Sequence, residues 1–430
     1  MSLPLLMFIL MFVVGFIIKL PISLGMMVAS ITYFIFKPGQ AATVDIVANL
    51  FCSQIYVQYV MIAIPMFVFS ANIMNSGKVT DKLFYWAQTL VGRWKGGLGH
   101  VNVLASLIFS GMTGAATADV AGLGMMEIDA MRKSGYDDGF SCAITAASAT
   151  IGPIFPPSIP MVLYATAAGV SVGSLFLGGI IPGVLLAVAL MAYVAIIAKK
   201  RNYPSERIDI TILQWIFLTL RSLPALLVPI ILLVGIYTGI VTATEAGALA
   251  GVWGLLVSVF LYRSLGWKEF RKILVASAKM TGITTLMLGA AFPFSYIITY
   301  EKIPMIISEL LLGFSTNKYL FLFIINIAFL ILGCFMNATV IMVVFAPMII
   351  PAAQALGIDL VHLGVVIVLN IMIGLSTPPY GALLFMTSAI SGVSLTKIIK
   401  EILPMILAMI VVLFLITYFP QLVLAIPNRF

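Results

Sequence analysis

Two stretches decide how this chain folds: IGPIFPPSIP at 151–160 and IGLSTPPYGA at 373–382. Each sets a double proline inside long apolar sequence. In the first, prolines 153, 156, 157 and 160 remove four amide donors and disfavour helix at the residue before each. A helix arriving at either stretch must break, and the carbonyls it would have bonded are set free. The two stretches lie 222 positions apart, and the same shift lays Gly111 on Gly333, Thr117 on Thr339, Gly135 on Gly357 and Asp137 on Asp359. It also lays Gly152 on Gly374, Pro156-Pro157 on Pro378-Pro379 and Pro182 on Pro404, while GVSV at 169–172 meets GVSL at 392–395 after a one-residue slip. A single register that aligns three glycines, three prolines and an aspartate marks a duplication.

The material around these stretches is membrane material. Of 430 residues, 62% are apolar and 9% charged, and mean hydropathy is +1.17. Soluble chains carry roughly 25% charged residues, so this one lacks the polar surface to cover a globule in water. At ~20 residues per span, its length allows about ten to twelve crossings and no sizeable soluble domain. The net charge of +8 then sets orientation and is not a nucleic-acid surface. Cys52, Cys142 and Cys334 stand far apart in apolar contexts, and only His100 and His362 are available. Neither a disulfide framework nor a histidine-rich or transition-metal centre follows. An embedded enzyme would need a nucleophile with its base, a metal cluster or paired carboxylates, and none is visible. The first apolar run, Leu3 to Ile18, lacks a basic start and a small-residue cleavage signal, and reads as a retained span.

The most polar stretch, 199–222, reads as a linker between a first repeat at 1–198 and a second at 223–430. Equivalent loops of the two carry opposite charge bias. The connection 77–97 holds Lys78, Lys82, Arg93 and Lys95, whereas in its counterpart, 299–319, Lys302 and Lys318 are cancelled by Glu301 and Glu309. Loop 131–139 holds Arg132 and Lys133 against no base in 353–361, and 169–178 holds none against Lys397 and Lys400 in 392–401. Arg263, Lys268, Arg271 and Lys272 near the second repeat's start answer Lys37 alone in the first. The positive-inside rule puts equivalent loops on opposite sides, so the repeat is inverted. The linker is then cytoplasmic and both termini lie outside. The 77–97 connection can form an amphipathic helix along the cytoplasmic surface.

Inverted repeats joined at broken helices point to a secondary transporter's binding site. SGMTGAATAD at 110–119 interrupts an apolar run, about 98–130, whose ends both meet basic loops: a re-entrant hairpin. GCFMNATV at 333–340 does the same within about 320–351, from the other side. Irregular backbone at membrane depth is tolerated only where protein buries it or a watery cavity meets it. Freed carbonyls, with Ser158 in the first half and Ser376 and Thr377 in the second, are hard oxygen ligands suited to Na⁺, and Ser158 and Ser376 are also placed in the substrate region. Half-helices starting after each hairpin tip and double proline aim positive dipole ends at the midplane, where an anion fits. Asp119, just past the first tip, is a functional candidate because intramembrane carboxylates are costly; a first-turn carboxylate stabilising its helix N-terminus is the structural alternative. Glu245 fits a capping box with Thr242, and Asp137 and Asp359 read as turn or cap residues.

The strings GMTGAATADVAGLG (111–124), SGYDDGF (134–140), GVSVGSLFLGGIIPG (169–183), GIVTATEAG (239–247), the run from Leu332 to Val366 and the two double-proline stretches resemble the large membrane subunit of tripartite ATP-independent periplasmic (TRAP) transporters. The likeness covers nearly the whole chain. It implies an all-α polytopic, elevator-type secondary transporter in the bacterial inner membrane, with Na⁺ as coupling ion, no other cofactor and no enzymatic activity. It further implies a separate small four-helix membrane subunit and a periplasmic substrate-binding protein that delivers an organic acid. Carried over by motif, the sodium sites fall at Thr113, Thr117, Asp119, Gly152 and Pro156, and at Asn337, Thr339, Gly374, Thr377 and Pro378. Relatives often carry an acid where Asn337 stands. The rival readings are a self-sufficient sodium/dicarboxylate symporter of similar architecture and a channel. Sialic acid, C4-dicarboxylates, sugar acids and keto acids all remain open as cargo.

Overall fold

The long apolar runs fold as their prolines and glycines require. In the computed structural model, which describes residues 2–37, 43–57, 59–75, 79–206, 211–314 and 317–429, the chain is helical throughout, with no strand among the described residues. Residues 77, 78 and 207–210, which belong to the sequence-predicted surface helix and linker, lie outside them. Among the described residues, seven helices are long and apolar enough to cross a membrane, eight with one bent pair. That is fewer than the ten to twelve that length allows, because several runs divide. Six apolar helices of 10–17 residues are too short to cross alone. Two of these, Leu360–Leu375 and Ala382–Ser391, flank the second double proline.

The first hairpin is Gly97–Thr113 followed by Ala116–Lys133, bent by 119°. Gly114 makes the turn at φ 62, a conformation that favours glycine. The two feet meet: Leu98 N donates to Tyr136 Oη at 3.2 Å, and Gly96 N to the linker carbonyl of Pro204 at 3.2 Å. Both feet therefore stand at one end of the bundle. The second hairpin is Lys318–Phe335 followed by Ala338–Ala355. Its feet stand at the other end, where Tyr319 and Tyr418 have ring centroids 6.1 Å apart and His362 Nε2 lies 2.8 Å from the Ile416 carbonyl. Val172–Arg201 and Leu395–Tyr418 connect the two ends. The hairpins thus enter from opposite ends, as inverted repeats demand.

The first break is a 3₁₀ turn at Ala149–Ile151 and irregular backbone to Ser158; the second begins only after Leu375. The difference follows from sequence, since the first copy places Pro153 where the second has Leu375. Both double prolines contain a cis peptide bond. The expected linker is shorter than 199–222: helices run to Arg201 and resume at Ile212. Asn202, at φ 53, stops the first, and a capping box between Thr211 and Gln214 starts the second.

At the linker end, Arg201 donates to Asp137 at 3.0 Å and Glu401 at 2.9 Å, and Arg132 to the Ser391 carbonyl at 2.9 Å. Loops 131–139 and 392–401 and the linker, which charge alone assigns to one side, are therefore in contact. Asp359 caps its helix, accepting from Val361 N at 2.8 Å and His362 N at 3.0 Å. Asp137 stands at the equivalent position without capping, its carboxylate being held by Arg201 and Tyr203. Glu245 forms the expected box with Thr242. Val79–Val91 buries Leu83, Phe84, Ala87 and Val91 and exposes Asp81, an amphipathic pattern.

Candidate functional site

The tips of the two hairpins meet across a cavity of ≈ 200 Å³. Ala115, Ala116 and Thr117 come from the first tip, and Met336, Asn337, Ala338 and Thr339 from the second. Pro153, Pro160, Thr284 and Tyr380 complete much of the wall, and no lining residue is charged. The helices that start at Ala116 and Ala338 both begin at this wall. Helix N-termini carry partial positive charge, and the cavity wall holds no base.

Each tip is wedged against an unwound segment. A Cβ on Gly114 would stand 2.6 Å from the Pro157 carbonyl oxygen, and Ile159 N donates to the Gly114 carbonyl at 3.3 Å. Gly152 faces the Ala115–Ala116 peptide. Thr113, Thr117, Asp119, Gly152 and Pro156 thus belong to two packed segments, the tip and its broken helix. Thr113 and Asp119 are buried, and neither the Thr113 hydroxyl nor either Asp119 oxygen has a hydrogen-bond partner. The Ser106 hydroxyl lies beside Asp119 but donates to Ser148 at 3.1 Å. Buried polar atoms without partners are uncommon and costly; besides those of Thr113 and Asp119, others occur at Ser70, Asn75 and Asn370. Asp119 stands in the first turn of its helix, where the structural alternative places it, and makes no side-chain cap hydrogen bond.

In the second half, Gly374 packs on Gly333, and Thr377 Oγ1 donates to the Ile373 carbonyl at 2.7 Å, leaving its lone pairs free. Asn337 caps its helix through Thr339 N at 3.0 Å. Thr117, Asn337 and Thr339 line the cavity; Gly374, Thr377 and Pro378 do not. Ser158 and Ser376, expected near substrate, are fully buried and also absent from the lining. Ser158 donates to the Pro153 carbonyl and accepts from Met161 N at 3.2 Å, so it caps the helix that resumes after the break; Ser376 donates to the Ile373 carbonyl at 2.9 Å.

The sequence profile of the family described as "Tripartite ATP-independent periplasmic transporter, DctM component" matches residues 8–422. The Vibrio cholerae sialic acid TRAP transporter large permease protein SiaM is 38% identical over 377 residues, 86% of this chain and 87% of its own. The chain belongs to the TRAP transporter large permeases. Another relative is the Pseudomonas aeruginosa C4-dicarboxylate TRAP transporter large permease protein DctM, 37% identical over 93% of this chain and 92% of its own. In fold, the chain is similar to the crystal structure of the Alcanivorax borkumensis YdaH transporter (TM-score 0.64, 98% of both chains, 14% identity). It is accordingly a multi-pass membrane transporter component and not an enzyme.

This TRAP permease holds one feature that the sequence reading passed over. Glu127 is buried, with Oε2 accepting from Asn102 Nδ2 at 2.9 Å and Oε1 unpartnered. Asn102 also donates to Thr145 at 2.7 Å and accepts from Ser148 at 2.7 Å. Between Asp119 and Glu127 runs a π-type turn, Val120–Gly124. Its extra residue makes an eight-residue gap behave as seven, which puts both acids on one helix face. Neither has an ion-pair partner among the described residues. In the repeat register they fall on Ile341 and Ile349, so this pair of buried acids has no counterpart in the second half. The available signal was an acid at 127 inside an apolar run.

Proposed function

We propose that this permease imports an organic carboxylate, driven by the sodium gradient, in concert with a small membrane subunit and a periplasmic binding protein that delivers the substrate. The observation that carries the proposal is the uncharged cavity between two opposed helix N-termini, with unpartnered Asp119 and Thr113 buried behind the first tip. The termini receive the carboxylate, and Na⁺ at each tip-and-break pair supplies the missing positive charge. Sialic acid and C4-dicarboxylates, named for two relatives, are both carboxylates. The first site draws on Thr113, Thr117, Asp119, Gly152 and Pro156; the second on Asn337, Thr339, Gly374, Thr377 and Pro378. The hairpins, broken helices and cavity form a body that moves in elevator fashion between the two sides, with the linker end cytoplasmic and both termini outside.

The test is uptake of a labelled organic acid into proteoliposomes. The chain with both partners should accumulate it only under an inward sodium gradient and regardless of ATP, and the chain alone should accumulate little. Equal transport by the lone chain would favour a self-sufficient symporter; transport without sodium would sink the coupling.

A further inference from the structure

The helix Trp267–Tyr300 has 34 residues, about 51 Å at 1.5 Å per residue, against a hydrocarbon core of about 30 Å. About twenty residues suffice to cross, and 280–300 contains no charge. All the helix's charge precedes it. Lys268, Arg271, Lys272 and Lys279 fall within an arc of about 100° at 3.6 residues per turn, all exposed. The opposite face is packed: Ile273 and Ser277 are buried, and Ser277 Oγ accepts from Asn72 at 2.9 Å. None of the four bases has an acidic partner among the described residues. Glu269, the one acid on this segment, accepts from Gly266 N at 3.2 Å at the helix start. With Val275 and Ala276, the four bases form an open, shallow recess along this one helix face.

Like charges this close on one helix repel one another, so the recess gains from a compact anion. We propose that it binds the phosphate headgroup of an anionic phospholipid. The bases begin where the uncharged span ends, which sets Lys279 at headgroup depth. Just past it, Ile283 and Leu286 are apolar and 64% and 43% exposed, a surface for acyl chain. Charge followed by hydrocarbon is the pattern of a lipid, and an acidic protein segment would leave the second part unused. Basic clusters at the membrane boundary attract anionic lipids in this way.

The full chain, washed in detergent and offered phosphatidylglycerol or phosphatidylcholine, should retain phosphatidylglycerol selectively when bound lipid is counted by native mass spectrometry. Arg271→Gln with Lys272→Gln should lower that retention about 25-fold, taking roughly fivefold per base. Lys302→Gln with Lys318→Gln, at the other end of the bundle, should leave it unchanged. Raised salt should weaken retention by the unaltered protein, a reading independent of any variant's folding. Equal retention of both lipids, full retention by the Arg271/Lys272 variant, displacement by millimolar inorganic phosphate, or an acidic protein bound in place of lipid would each overturn the assignment.

Discussion

Gly333 and Gly374 pack backbone against backbone: a Cβ added at Gly374 would lie 2.6 Å from the Gly333 Cα. The contact joins the second hairpin to the helix that ends at the second break, so the distance between the two is set by the absence of two side chains. Gly374→Ala should therefore destabilise the permease by about 1–3 kcal/mol, the usual cost of overpacking, and depress uptake. Gly282→Ala, where nothing lies within 4 Å on a helix surface, should leave both unchanged. Thermal unfolding of the two variants in detergent, read beside uptake, checks this pair. Equal midpoints would show that the glycine contact is slack.

Glu127 and Asp119 form a second telling pair. Two uncompensated carboxylates in one buried patch favour any bound cation and strain the cation-free state. Glu127→Gln keeps the shape and the acceptor for Asn102 while removing a charge. It should leave the sodium-free melting temperature equal or higher, and shrink the rise that saturating sodium produces. An undiminished sodium-induced rise would separate Glu127 from ion binding.

Orientation is testable by labelling. Lys200 lies beside the Arg201 junction and Asn317 starts the second hairpin at the far end. Cysteines at these positions, in a background without the native three, should react with an impermeant reagent from the cytoplasm and from outside respectively. Reaction of both from one side would contradict the inverted arrangement.

How far the sequence foretold this structure depends on the range over which each feature is determined. The breaks at 151–158 and 376–381 and the tip at Gly114 were legible because proline and glycine act on their immediate neighbours. The opposite entry of the hairpins was legible because lysine and arginine counts respond to the side of the membrane. The Asn102–Glu127–Thr145–Ser148 network was not, since Asn102 stands 25 to 46 positions from its three partners and meets them only when the hairpin packs on Asp138–Ser148. Nor could spacing tell that Glu127 shares a face with Asp119, because that depends on a π-type turn. Ser158 and Ser376 were assigned to substrate for their hydroxyls. The backbone they adjoin lacks donors at the prolines and takes those hydroxyls first, a choice that composition does not reveal.

The account's central claim is that sodium binds where each hairpin tip meets its broken helix. Its most direct test is the sodium concentration giving half-maximal uptake, measured in proteoliposomes with the small subunit and binding protein present. Asp119→Asn removes a buried charge from the first site, and Thr377→Val removes an oxygen ligand from the second while keeping its shape. Each should raise that concentration several-fold, since one decade corresponds to about 1.4 kcal/mol. Uptake should also quicken with a negative interior, because each net positive charge carried inward gains about 2.3 kcal/mol per 100 mV. If both variants reach the membrane in normal amount and keep the unaltered protein's sodium dependence, the ion sites lie elsewhere and the claim fails.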